Sequence, residues 1–201
     1  MKDIHASARA ANFSPCYVSY RGLASDGTNQ GYTARDSLRT CVCELSSTLA
    51  KYVALYSEAT RIVLIGHSKG GLGACRYLWD QLTSGGLPSN VKALCLLACP
   101  VAVQEAVFEW SPAATPEFRD PFVADQHDCY YPVDHSVWSI PTHLIRPKHD
   151  DLLPVAGDAL FKPAGWSVTD DQKSVGHLII VRKEGPQAVE TWLRGVAALA
   201  P

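Results

Sequence analysis

The apolar run Ile62-Val63-Leu64-Ile65 passes directly into Gly66-His67-Ser68-Lys69-Gly70-Gly71, and beyond it a helical pattern runs to about Leu82. A short apolar run bounded by glycine reads as a strand buried on both faces, which belongs in a sheet covered by helices. The small residues Gly70, Gly71, Gly73 and Ala74 predict that the following helix packs closely on that sheet. A strand that turns this abruptly into a helix holds one side chain on a strained, exposed corner. Glycines two residues to either side, Gly66 and Gly70, are expected to remove Cβ atoms that would collide there. The residue on the corner is Ser68, a candidate nucleophile. The backbone N–H of Lys69 opens the helix, where the positive end of the helix dipole favours a developing oxyanion.

Elsewhere helix and strand signals alternate, which predicts an α/β protein with a mostly parallel sheet and helices on both faces. A helical pattern over Lys2 to Ala11 leads into Pro15–Tyr20, which reads as a strand, and Arg21 to Tyr32 is a polar, glycine-rich loop. A long amphipathic helix is expected from about Ala34 to Glu58, carrying Leu38, Val42, Leu45, Leu49, Val53 and Leu55. The elbow strand at 61–65 and the helix from Lys69 come next, then a loop over Ser84–Asn90 and a buried strand over Val91–Leu97. Pro141–Pro147 and Trp166–Thr169 read as further strands, Ser174–His177 as a loop, and Pro186–Leu199 as a closing amphipathic helix. Residues 101–140 mix proline, aspartate and aromatics without clean periodicity. That segment reads as an excursion over the sheet's C-terminal edge, either ordinary helix and loop or a lid and acyl-pocket wall. At 201 residues the whole chain, 1–201, is expected to form a single domain.

Charge and cysteine content exclude several classes. A formal charge of −2 with no basic stripe gives no footprint for nucleic acid, and no apolar stretch approaches a membrane span. The start, Met1-Lys2-Asp3-Ile4-His5, lacks the apolar core of a secretory signal, so a cytoplasmic location is expected. Seven cysteines are an odd number, without a C-x-x-C pair or ligand-like spacing to histidine. Free thiols in a reducing compartment fit this pattern.

A serine hydroxyl needs a base within reach, and the base needs a partner to hold its tautomer. Asp150 follows a predicted strand and precedes Pro154, while His177 follows Gly176 in a loop before the last helix. The chain order is therefore Ser, Asp, His. On these residues the chain resembles the α/β-hydrolase superfamily, on its lipase and carboxylesterase side, from about residue 15 onward. Gly66-His67-Ser68-Lys69-Gly70-Gly71 is similar to the G-H-S-x-G-G elbow, Pro141–Pro154 to the acid strand and loop, and Gly176-His177 to the base loop. The resemblance implies Ser68 as nucleophile, His177 as general base then acid, and Asp150 as orienting carboxylate, with Asp151 the rival one position on. It implies ester hydrolysis through an acyl-enzyme on a small-molecule ester or acyl substrate, with no metal or organic cofactor. Thioesterase and acyltransferase chemistry use the same residues, and a non-catalytic or truncated hydrolase-fold binding protein is the remaining alternative. A serine at the corner argues against a dehalogenase, which in this superfamily uses a carboxylate.

The N-terminal side departs from the pattern. Tyr20-Arg21-Gly22-Leu23-Ala24-Ser25-Asp26 resembles the region after the superfamily's fourth strand, so the chain looks short of the strands before it. Those include the third strand, whose loop normally supplies the second oxyanion N–H. One solution is for Pro15–Tyr20 to pair directly with Arg61–Ile65, bringing the N–H of Gly22 or Leu23 beside Ser68.

Overall fold

A computed structural model describes residues 2–18, 38–99, 138–149, 167–176, 179–182 and 184–198. Helix α1 spans Lys2–Ala10 and α2 Leu38–Val53, followed by strand β1 (Ile62–His67), α3 (Lys69–Thr83) and β2 (Val91–Leu97). Strands β3 (Thr142–His149) and β4 (Ser167–Val175), a 3-10 turn over Ile179–Val181 and α4 (Glu184–Ala198) complete the described elements. The strands form one parallel sheet in the order β1-β2-β3-β4. Parallel neighbours need long crossovers, and α3 supplies the one between β1 and β2.

Strand alternation divides the core in two. On one face Leu64, Leu94, Leu96 and Leu144 meet Leu45, Leu49 and Val53 of α2 and Tyr77 and Leu78 of α3. On the other, Cys95, Leu97 and Ile145, flanked by Val63 and Ile65, meet Ile4 and Ala8 of α1 and Val189 and Leu193 of α4. Successive strand residues thus serve opposite layers, as the period of two requires. The register between β1 and β2 slips between Ile62 and Val63, skipping Lys92, so that this exposed lysine forms a bulge while its neighbours stay buried. Gly73 sets the distance between α2 and α3, since a Cβ there would meet Leu45 Cδ2 at 2.4 Å.

Several elements differ from the sequence expectations. Of the expected strand Pro15–Tyr20, Pro15–Val18 join no strand ladder and residues 19 and 20 lie outside the described residues; among the described residues β1 pairs with β2 alone. Instead Phe13 packs against the α1/α4 face and Val18 against the α2/α3 face, so this segment carries the chain from one layer to the other. The left-handed Asn12 (φ 64°) ends α1 just before it, a common C-terminal stop. Helix α2 ends at Val53 rather than Glu58, which leaves Leu55 75% exposed instead of in the core. Strand β4 runs to Val175, past the expected end at Thr169 and through part of the expected loop. The expected N-terminal stretch of α2 before Leu38, the loop 21–32 and most of the aromatic segment, residues 100–137, lie outside the described residues. At the described end of that segment, Trp138 donates its indole N–H to Thr142 Oγ1 at 3.0 Å and packs on the α2/α3 face.

At the start of β3, His143 meets Ser167 of β4 through Nδ1 and Oγ, 2.6 Å apart, and its ring stacks on Trp192 with centroids 6.0 Å apart. Burial holds the His143 imidazole below its ordinary value of 6.5, and burial, aided by Arg9 and the chain's amino terminus, does the same to His5. A group with a lowered folded pKa stabilises the fold above its unfolded value, and that contribution is lost as pH falls through the folded one. The urea midpoint is therefore expected to be lower at about pH 5 than at about pH 8, with a smaller difference in His143→Gln. An unchanged difference in that variant would assign the pH dependence elsewhere.

Candidate active site

Strand β1 ends at His67 and α3 begins at Lys69, so Ser68 alone makes the turn. Its backbone lies at φ 52° and ψ −127°, a conformation that an L-residue other than glycine rarely holds without support. The supports are visible. Ser68 N–H donates to Leu97 O at 3.0 Å, prolonging the β1–β2 ladder through the turn, and Ser68 O accepts from Gly71 N–H at 2.9 Å to start the helix. The side chain makes no capping hydrogen bond to α3, although serine is a favoured residue at such a position. Lys69 is the first residue of α3, where no intrahelical carbonyl can reach the backbone N–H.

The glycines contribute differently from the expectation. A Cβ at Gly66 would lie 2.4 Å from Gly71 Cα and 2.6 Å from Gly71 N, whereas a Cβ at Gly70 would meet nothing within 4 Å. Gly71 has a close neighbour of its own, because a Cβ there would lie 2.5 Å from Cys99 Sγ. The tight approach thus runs from Gly66 through Gly71 to Cys99, and Gly70 is not required by it.

Of the other expected site residues, Asp150, its rival Asp151, His177, Gly22 and Leu23 lie outside the described residues. The elements just before Asp150 and His177 are described. Strand β3 ends at His149, and β4 ends at Val175 ahead of Gly176, whose φ of 103° turns the chain. His67 ends β1 in a half-buried position, and His143 lies two strands away, level with Cys95 of β2 and Ile65 of β1. Asp170 and Asp171 stand within β4, paired with Arg146 and Pro147. Among the described residues no group of three histidine, cysteine or acidic side chains is placed to hold a metal. No described helix is long and apolar enough to cross a membrane.

Sequence reading missed a feature at the end of β2. Ala98 takes a left-handed φ of 43°, and Cys99 is buried beneath the first turn of α3. The apolar run Leu94–Cys99 looks like an uninterrupted strand, and the only cue was the small residue at 98.

No protein-family model matches the sequence, and no curated protein matches it. Solved structures do. Est1E from Butyrivibrio proteoclasticus, with ferulic acid bound, superposes with a TM-score of 0.62 at 13% identity over 98% of this chain and 80% of its own. A structure described under the metagenome-derived lipolytic enzymes LipS and LipT matches with a TM-score of 0.54 at 11% identity, over 98% of this chain and 87% of its own. A monoacylglycerol lipase from Paleococcus ferrophilus gives a TM-score of 0.52 at 14% identity, over 96% and 88%. The parallel sheet with helices on both faces, entered by a strand–serine–helix corner, is the α/β-hydrolase fold. This chain adopts that fold.

Proposed function

We propose that this protein is a serine hydrolase of carboxylic esters, with Ser68 as nucleophile, His177 as general base and acid, and Asp150 as orienting carboxylate. The observation that carries the reading is the strained backbone of Ser68 at the junction of β1 and α3, with its side chain unused in capping. Strain of this size is retained where surrounding contacts over-determine it, and such positions concentrate at functional sites. The strands support the other two roles. β1, β3 and β4 run parallel, so their C-terminal ends lie at one edge of the sheet. Ser68 and Asp150 directly follow two of those ends, and His177 follows the third after Gly176. Ligand sites of open α/β sheets form at that edge. The fold neighbours named above as lipolytic enzymes and a monoacylglycerol lipase point to the same class of chemistry.

The reaction follows from these groups. Ser68 Oγ bonds to the ester carbonyl carbon as its proton passes to His177. The oxyanion is met by Lys69 N–H and a second donor from the Gly22–Leu23 loop. Collapse expels the alcohol, which takes the proton from His177, and leaves an acyl-serine. Water then attacks with His177 as base, releasing the acid and restoring the hydroxyl. The chain works as one domain, 1–201, with the aromatic residues of 101–140 walling an apolar acyl or alcohol site. A thioester would be opened by the same steps.

The test is treatment of the folded protein with a fluorophosphonate, followed by mass spectrometry of its peptides and turnover of a chain-length series of p-nitrophenyl esters. A single adduct on Ser68 with ester turnover is the expected result. A folded protein that neither labels nor turns over any ester would reject the enzymatic reading in favour of a binding protein.

A further inference from the structure

The end of β2 carries a reversal that bears on Ser68. Along β2, Leu94 and Leu96 belong to the α2/α3 face, and Cys95 and Leu97 to the α1/α4 face. Continued alternation would send Ala98 to the α2/α3 face and Cys99 to the other. The reverse is found: Ala98 packs with the α1/α4 face and Cys99 with the α2/α3 face. The left-handed φ of 43° at Ala98 coincides with this inversion of phase. The ladder nevertheless persists on both sides, since Leu97 O accepts from Ser68 N–H and Ala98 N–H donates to Ile145 O, each at 3.0 Å.

The inversion determines what lies under the nucleophile helix. Cys99 Sγ occupies the space directly against Gly71, and Gly71 in turn approaches Gly66 and bonds to Ser68 O. Cys99 is fully buried, and burial, reinforced by the neighbouring Cys75 thiol, keeps its own thiol protonated. It acts here as volume rather than as a reactive group.

We infer that Cys99, turned onto the α3 face by the left-handed Ala98, is a positioning residue that fixes the first turn of α3 and thereby the reactive geometry of Ser68. This inference rests on Ser68 being the nucleophile. A positional error of about 1 Å at a reacting group costs on the order of a hundredfold in rate, so a missing sulfur under the first turn is enough to be read kinetically.

Cys95 provides the internal control. It is a fully buried cysteine on the same strand but faces α1 and α4. Cys99→Ala and Cys95→Ala each remove one buried sulfur, and both are expected to lower the urea midpoint. Only Cys99→Ala is expected to slow phosphonylation of Ser68, by roughly ten- to a hundredfold in the maximal rate, with the reagent's half-saturating concentration unchanged. Ala98→Gly, which retains access to positive φ, should label at close to the wild-type rate, and Ala98→Val should resemble Cys99→Ala. Equal labelling rates for Cys99→Ala, Cys95→Ala and wild type would overturn the positioning role while leaving the nucleophile in place. A wild-type protein that does not label at Ser68 would overturn the nucleophile and, with it, the positioning role.

Discussion

Ser68→Ala is expected to abolish the fluorophosphonate adduct and to lower ester turnover by on the order of 10⁴-fold or more, with the urea midpoint nearly unchanged. The loss is large because the covalent intermediate cannot form without Oγ, so the remaining groups only bind substrate and polarise its carbonyl. The stability should hold because the Ser68 side chain contributes no capping bond to α3, while its backbone bonds to Leu97 and Gly71 survive the change. Alanine at φ 52° is also no more strained than serine. Kinetics with a short-chain p-nitrophenyl ester alongside circular dichroism would separate the two effects. Turnover retained within tenfold of wild type would assign catalysis to another residue.

Gly66→Ala is expected to have the largest effect on stability, about 3 kcal/mol or more, together with loss of Ser68 labelling. The added Cβ would sit 2.4 Å from Gly71 Cα, 2.6 Å from Gly71 N and 3.0 Å from Gly70 C. All three are backbone atoms, so no side-chain rotation relieves the contact, and β1 and α3 must separate. Gly70→Ala makes no such contact and serves as the matched control, expected to fold with a urea midpoint close to wild type. Equal midpoints for the two variants would mean that the junction is looser than its geometry implies.

The layered α/β arrangement and the corner at Ser68 were legible because both rest on local signals. An apolar run, a glycine and a helical pattern lie within one short stretch, and β1, α3 and β2 appear close to their expected limits. The misreadings have physical causes. Pro15–Val18 has the composition of a strand, but strand formation depends on a neighbour to pair with, and here the apolar residues anchor a passage between two layers. Leu55 continues the apolar spacing of α2 past the point where the helix stops. β4 was read short because Asp170, Asp171, Gln172 and Lys173 look like a loop. It is the last strand of the described sheet, and its backbone pairing with β3 forms the ladder whatever the polarity of those residues.

Glycine and alanine at the site were the least legible. Sequence spacing pointed to Gly70 as the counterpart of Gly66, but the contact falls on Gly71, because the first turn of α3 rotates that residue against β1. Ala98 left almost no trace, since a single left-handed residue in an apolar run changes which face follows without changing the composition. The partners of Ser68 were read from chain order and from the strands that precede them. That order carries no information about distance, so the triad stands as a chemical expectation tied to the ends of β3 and β4.

The packing of α1 against α4 has a bearing on how the chain is made. Ile4 and Ala8 are buried with Val189 and Leu193, and Arg194 donates to Ala10 O at 2.7 Å across 184 positions of sequence. The counterpart of α1 is thus synthesised after every other described element. Until α4 is made, Ile4 and Ala8 can meet only the sheet residues Cys95, Leu97 and Ile145, and the α1/α4 layer is incomplete. The α2/α3 layer can assemble against β1 and β2 well before that, so the Ser68 corner is built on the layer that completes first, and α1 and α4 close over a sheet already in place.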